Sequence, residues 1–348
     1  MGATARRAAV VTLVVLGIVV LALALWKIRV VIALLFLGFI VAAAMRPGVE
    51  WLRRRAHVPR PAGVLLHYLT ILLVVGVVLW LFVPRAIHQV QAAASASALH
   101  QQARQSSGVK REILSGLEKR LRRLPSGSKL IHPALEVTKT AFEVLVGILF
   151  VFAVAAYWIF ERDRAIGLVQ SLIPRRHRRV TRDTWVLLDE KLGAFVRGQL
   201  LMIAFVSVVL SAGFFAIGLP YWLLIGVFAG IVEIVPVVGP LTAGALAIGV
   251  GLTQSWHMAL FAGLIVVGVR QFQDYVVVPR VLGHVTGLSP ILVLVSATGI
   301  GVLLGPFYVL LAVPITAVLV TLVDVIVRDV EPSEQEVPAL IFTREEGR

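Results

Sequence analysis

The sequence contains no cysteine among its 348 residues. Disulfide bridges, thiolate metal sites and cysteine nucleophiles are therefore excluded at the outset. Charge is scarce as well: 15% of residues are Asp, Glu, Lys or Arg, where soluble domains carry about a quarter. Also missing are H-E-x-x-H, G-x-S-x-G and the phosphate-binding G-x-x-x-x-G-K-[ST]. These absences leave no signature of a zinc hydrolase, a serine hydrolase or an ATP-driven engine. An enzyme is the least favoured class, and no cofactor or metal is expected.

What remains is apolar. The chain is 59% hydrophobic, with a mean hydropathy of +0.92, and long apolar runs recur along it. Runs of this kind mark transmembrane helices, and a soluble domain built from them would expose too much apolar surface. The expected fold class is all-α: a polytopic transmembrane protein of about eight spans, with broken or re-entrant helices in its C-terminal half and an extracytoplasmic helical insert. The formal net charge is +14. Arginines cluster between the apolar runs, as the positive-inside bias and anionic headgroups favour, so the expected partners are membrane lipids and not nucleic acid.

Residues 1–85 hold three spans. Ala8–Leu25 and Val30–Met45 form a hairpin across Trp26-Lys27-Ile28-Arg29, and the third runs from Ala62 to Val83. The first apolar run is long for the core of a signal peptide, and no small-residue cleavage site follows, so it is expected to stay as a span. The basic stretch from Arg46 to Arg60 marks a cytoplasmic loop and places the N-terminus on the same side. His67 is either a proton relay or an interfacial residue. Residues 86–137 are polar, with Ile113, Leu117, Leu121 and Leu124 at helical spacing, which predicts an extracytoplasmic amphipathic helix over Ser107–Pro125. Residues 138–197 comprise a fourth span to Phe160, a basic cytoplasmic loop, and an interfacial helix over Asp183–Arg197 with Trp185, Leu188, Leu192 and Phe195 on one face. Residues 198–327 read as the transport core, and 328–348 as a polar, acidic cytoplasmic tail.

Within 198–327 two apolar segments are interrupted. One break runs from Pro236 through Gly239 to Pro240, just after Glu233; the other is Gly305-Pro306. Proline removes a backbone donor, and groups freed inside hydrocarbon must be satisfied by protein or a watery cavity. Paired interrupted segments are a pointer to a transporter's binding site. Between them lies a polar group, Arg270, Gln273 and Asp274, followed by Pro279. These ten residues are the candidates for a substrate pathway or coupling site. Glu233 reads either as a coupling acid or as a structural acid bracing the break, and the Arg270 group as a gate, a solute contact or a cap at the membrane exit.

Residues 196–320 carry Val196-Arg197-Gly198-Gln199, Gly218-Leu219-Pro220, Val235-Pro236-Val237-Val238-Gly239-Pro240, the stretch from Gln271 to Gly283, Gly287-Leu288-Ser289-Pro290, and Leu311-Ala312-Val313-Pro314 in that order. By these ordered motifs the region resembles the autoinducer-2 exporter family of bacterial membrane permeases. It implies a homo-oligomer, a pentamer by family precedent, in the bacterial inner membrane with both termini cytoplasmic. It also implies export of a small molecule such as autoinducer-2, with sodium (lithium)/proton exchange in some relatives. Val237, Gln273-Asp274 and Ser289 depart from the residues usual in the family, and these positions fall in the solute path. The reading is a permease exporting a small polar organic solute. Its rivals are a sodium (lithium)/proton antiporter and a non-transporting membrane scaffold.

Overall fold

The computed structural model describes residues 2–94, 131–235, 238–281 and 289–335. Every regular element in them is helical. In chain order these are α1 (Gly2–Lys27), α2 (Arg29–Ala56), α3 (Arg60–Ala94), α4 (Ile131–Leu172) and α5 (Arg178–Ala216). There follow α6 (Trp222–Val232), α7 (Val238–Gln254), α8 (Trp256–Phe272), α9 (Val278–Val281), α10 (Pro290–Leu304) and α11 (Pro306–Ile326). Seven of the helices are long and apolar enough to cross a membrane. The helix expected over Ser107–Pro125, together with Pro236, His284 and the tail beyond Gln335, lies outside the described residues.

The helices outrun the apolar stretches that announce them. α2 passes through Pro47 to Ala56, so most of the basic stretch expected as a loop is helix, and α3 begins at Arg60 after a short turn. α4 continues past Glu161 and Arg164 to Leu172. Hydropathy marks the hydrocarbon slab, whereas arginine, glutamate and lysine are good helix formers that prolong a helix into water. The largest difference concerns Asp183–Arg197. The expected interfacial helix and the following span are one helix of 39 residues, α5, and its first part packs inside the protein with Thr184, Leu187, Asp189, Leu192 and Ala194 buried. His67 settles into packing: its Nδ1 lies 2.8 Å from the Gly63 carbonyl and its ring fills the space beside Gly48 of α2.

A buried charge cluster ties α2, α4 and α5 together. Asp189, 4% exposed, accepts a 2.6 Å bond from Arg162 Nε and a 3.2 Å bond from Arg46 Nη1. One turn before them, Trp158 and Trp185 stack at 5.6 Å, with Phe39 edge-on to both. Near the chain end, Lys191 of α5 donates to Thr321 of α11 and to Gln335, which holds the short 3-10 turn Pro332–Glu334 against the helix.

Small residues set the register of the second half. Gly226 of α6 lies against Ser211 of α5, and Gly230 against Ser207. Each step is four residues, in opposite directions, so α6 runs antiparallel to α5 at close approach. Gly251 lies against Ala259, Gly263 against Ile248 and Gly244 against Val266, which makes α7 and α8 a second antiparallel pair. α7 folds back along α6, burying Ala243 and Ala247 with Ile225, Ala229 and Phe214 in one apolar cluster. α10 and α11 form a hairpin through Gly305, whose φ of +110° only glycine adopts freely. That hairpin packs on α2 and α5 through Tyr308 and Leu311.

Two consequences are measurable. Gly230→Leu drives a side chain into Ser207 and the Ile203 carbonyl, so it should destabilise the fold by about 1–3 kcal/mol. Gly249→Leu, where a side chain meets open space, should not; equal unfolding temperatures in detergent for the two variants would contradict the register. Asp189→Ala leaves Arg162 buried without its partner and should cost about 3–5 kcal/mol, read as a loss of folded protein on denaturant titration. A cost near that of an exposed ion pair would show that the cluster does not hold the helices.

Candidate functional site

The two registers bring distant residues to one level. Following α5 and α6 one turn beyond Gly230 brings the end of α6 beside Ile203 and Gln199. Following α7 and α8 beyond Gly244 and Val266 brings Arg270 beside the start of α7. The chain between α6 and α7 is where these lines meet, and Glu233 is its first residue.

Helical hydrogen bonding lapses at this point. The Val232 carbonyl faces a residue with no N–H four positions on, since position 236 is proline. It accepts instead from Val235 N at 3.0 Å. The Glu233 carbonyl accepts from Gln199 Nε2 of α5 at 3.3 Å. The chain re-enters helix with Gly239 N donating to the Val235 carbonyl at 3.0 Å. Gly239 packs directly on the Val232 carbonyl and the Glu233 Cα, where any added methyl group would collide. Pro240 is half-buried in the first turn of α7, where proline's missing donor costs no helical bond.

The Glu233 side chain is 10% exposed. Its Oε1 accepts from Gln273 Nε2 at 2.7 Å and from Arg270 Nη1 at 3.0 Å. Arg270 Nε in turn donates to Asp274 Oδ2 at 2.9 Å. Gln273 is buried, while Arg270 and Asp274 are each about two-fifths open. One arginine thus bridges two carboxylates, one buried and one partly exposed. Phe205 of α5 and Phe272 of α8 stack at 6.0 Å beside the cluster.

α8 does not end cleanly here. From Gln273 to Val277 it widens into a π-helical turn, with Val278 N donating back to the Gln273 carbonyl. Position 279 is proline, so a regular α-helix could not pair the Tyr275 carbonyl. The wide turn reorganises that bonding and carries Gln273 inward toward Glu233. Such single π turns recur at functional sites. Pro279 lies in α9, directly after the turn.

Of the sequence candidates, Glu233, Gly239, Pro240, Arg270, Gln273 and Asp274 come together here, with Pro279 one turn away. Gly305 and Pro306 do not. They form the bend between α10 and α11, and among the described residues no hydrogen bond or ion pair connects them to Glu233. The two Gly-Pro pairs also differ in kind: Gly305 supplies a positive φ, whereas Gly239 supplies a close approach with φ outside that region. Sequence reasoning did not single out Gln199, although it stands in the Val196–Gln199 motif. Nor did it single out the Asp189 cluster. Among the described residues no group of three or more His, Asp or Glu side chains converges as a metal ligand set. Chemically the arrangement presents hydrogen-bond donors and acceptors: Asp274 and Arg270 are partly exposed, and Gln273 and Glu233 back them from inside.

YueF of Bacillus subtilis is 33% identical over 162 residues, covering 47% of this chain and 44% of that one. YrrI of the same organism is 30% identical over 131 residues, 38% of this chain and 37% of that one. The matches therefore span less than half the length of these two curated relatives. MT0215 of Mycobacterium tuberculosis is 23% identical over 306 residues, 84% of this chain and 82% of that one. The names of all three describe transport. A family model for AI-2E family transporters matches residues 13–328, and the chain, a multi-pass helical membrane protein, belongs to that family.

Proposed function

We propose that the chain is a permease that exports a small polar organic solute, such as autoinducer-2, across the bacterial cytoplasmic membrane. The observation that carries this reading is the convergence of Gln199, Glu233, Arg270, Gln273 and Asp274 on one helix break inside an otherwise apolar bundle. Polar and ionisable groups are expensive there and mark solute paths. The organic solute is preferred over a bare cation because Arg270 already bonds to both carboxylates. A sodium or lithium ion entering the cluster would have to displace a fixed guanidinium. A scaffold has no use for such a cluster.

Helix lengths support a span arrangement. α6, at 11 residues, rises roughly 16 Å, about half of the roughly 30 Å hydrocarbon core. With α7 folded back along it, the pair forms a re-entrant hairpin whose tip carries Glu233. α10, at 15 residues, rises roughly 22 Å and crosses with its flanking residues. Counted with the seven long helices this gives eight crossings, an even number that supports cytoplasmic termini on the side of Arg53–Arg55 and Arg175–Arg179. Residues 198–327 form the transport core. From Val10 to Lys27 α1 leaves its side chains exposed, including Leu13, Ile18 and Leu23, which suits both lipid and contact with neighbouring copies in a homo-oligomer such as a pentamer.

The test is flux of autoinducer-2 in proteoliposomes. Glu233→Gln and Gln273→Leu should each lower it about tenfold, the effect of roughly 1.4 kcal/mol, with elution of the folded protein unchanged. Unaltered flux in both variants would remove the cluster from the path. Sodium-dependent proton movement without any organic solute, lost in Glu233→Gln, would favour the antiporter instead.

A further inference from the structure

A second polar site lies at the opposite end of α5 from its junction with α6. The ends of α2, α3, α4 and α5 on the side of the basic stretches enclose a cavity of about 850 Å³. That is within the range of roughly 300–1,000 Å³ that small-molecule sites occupy. Its wall carries Arg46, Arg53, Arg54, Arg60, Arg162 and Arg182, against only Glu50 and Asp163.

The acids are already engaged. Glu50 accepts from Arg60 at 3.1 Å and faces Arg53 at 3.8 Å, and Asp163 faces Arg162 at 3.6 Å. Asp189, behind the wall, holds Arg46 and Arg162 in place. Arg54 and Arg182 make no ion pair among the described residues. Two arginine nitrogens, Arg60 Nε and Arg162 Nη2, are buried without a hydrogen-bond partner. The positive-inside bias accounts for arginines near this membrane face. It does not account for their enclosing a cavity, nor for burying Arg162 to 8% exposure with a donor left over.

We propose that this cavity binds a phosphate-bearing anion, with Arg54 and Arg182 as its mobile clamps and the Asp189-anchored pair Arg46 and Arg162 as its fixed floor. Guanidinium forks match phosphate oxygens two at a time, and unpaired donors in a partly closed site gain most from such a ligand. The phosphate can come from a free solute or from the headgroup of an anionic lipid, and the chemistry is the same. The site stands apart from the Glu233 cluster, and its occupant need not be the transported solute.

The experiment uses the full chain in lipid nanodiscs. In the first arm the lipid is phosphatidylcholine, and glycerol 3-phosphate is titrated with glycerol as the uncharged control. In the second arm the phosphatidylglycerol fraction of the disc is raised with no soluble phosphate present. The readouts are calorimetric binding and the unfolding temperature. Arg54→Gln, Arg182→Gln and the double variant are compared with Arg175→Gln/Arg176→Gln, which removes two basic charges outside the cavity.

Saturable binding in the first arm, weakened at least tenfold in the double variant and unchanged in the control, supports the proposal with a soluble ligand. Stabilisation only in the second arm, with the same dependence on Arg54 and Arg182, supports it with a lipid headgroup. No effect in either arm overturns it. So does an equal loss in the Arg175/Arg176 control, since that would reduce the effect to general surface charge. Both clamp residues are exposed and without an ion pair among the described residues, so the single variants remain folded proteins in which the loss can be read.

Discussion

A backbone carbonyl inside a membrane protein has no water to fall back on, and that constraint shapes the C-terminal half. Once the helix stops at Val232, the freed groups must find partners or cost several kcal/mol each. Val232 O takes Val235 N, Gly239 N returns to Val235 O, and Glu233 O takes the amide of Gln199 from a neighbouring helix. The last of these requires α5 at close range. The Gly226/Ser211 and Gly230/Ser207 contacts bring it there. Backbone satisfaction and small-residue packing are therefore one requirement met twice, first along the α5–α6 contact and then at its tip.

The same requirement explains why charge is tolerated at the tip. Glu233 is placed where the helix has already opened, so Arg270 and Gln273 can reach Oε1 from α8 and its π turn. An acid in the middle of α6 would face Ser207 and Ser211, which present hydroxyls and no cation. The break makes room for the side-chain cluster, and the cluster in turn gives the turn a fixed shape. Asp189 shows the other solution. It sits within an unbroken helix and is matched by arginines from two others, at the cost of leaving Arg162 Nη2 and its own Oδ1 unpaired.

The parts legible in the sequence are those set by local chemistry. Long apolar runs gave the membrane class and the centres of seven helices, because hydrocarbon burial follows composition. Helix ends were less legible: Arg46 to Ala56 and Glu161 to Leu172 are polar yet remain helical, since propensity and hydropathy diverge in charged residues. Glu233 and the Arg270 group stood out singly as ionisable residues in apolar surroundings. Their contact did not, because it spans 37 and 40 positions and depends on two antiparallel registers set by glycines. The charged face of Asp183–Arg197 pointed toward water only on the assumption of a single buried face. α5 is surrounded by α2, α4, α6 and α11 along its length, so its polar side also found protein. Repeated letters misled in one more way: Gly239-Pro240 and Gly305-Pro306 share a pattern and differ in the backbone they make.

The distribution of directional bonds divides the molecule. Asp189 and Gln199 lie ten positions apart on α5, roughly 15 Å along its axis. At the first, two charge-assisted bonds lock α5 to α2 and α4. At the second, a single neutral bond of 3.3 Å joins α5 to the turn. Within α6 to α8, by contrast, Glu233 is tied by two charge-assisted bonds. Such bonds are roughly twice as strong as neutral ones and far less tolerant of displacement. The long contact between α5 and α6 rests on van der Waals packing of glycine against serine, and Ser211 Oγ within it has no hydrogen-bond partner at all. Packing of that kind is strong in total but carries no directional bond. Directional bonds between α5 and the unit of α6, α7 and α8 are therefore few, and the Glu233 cluster belongs to that unit.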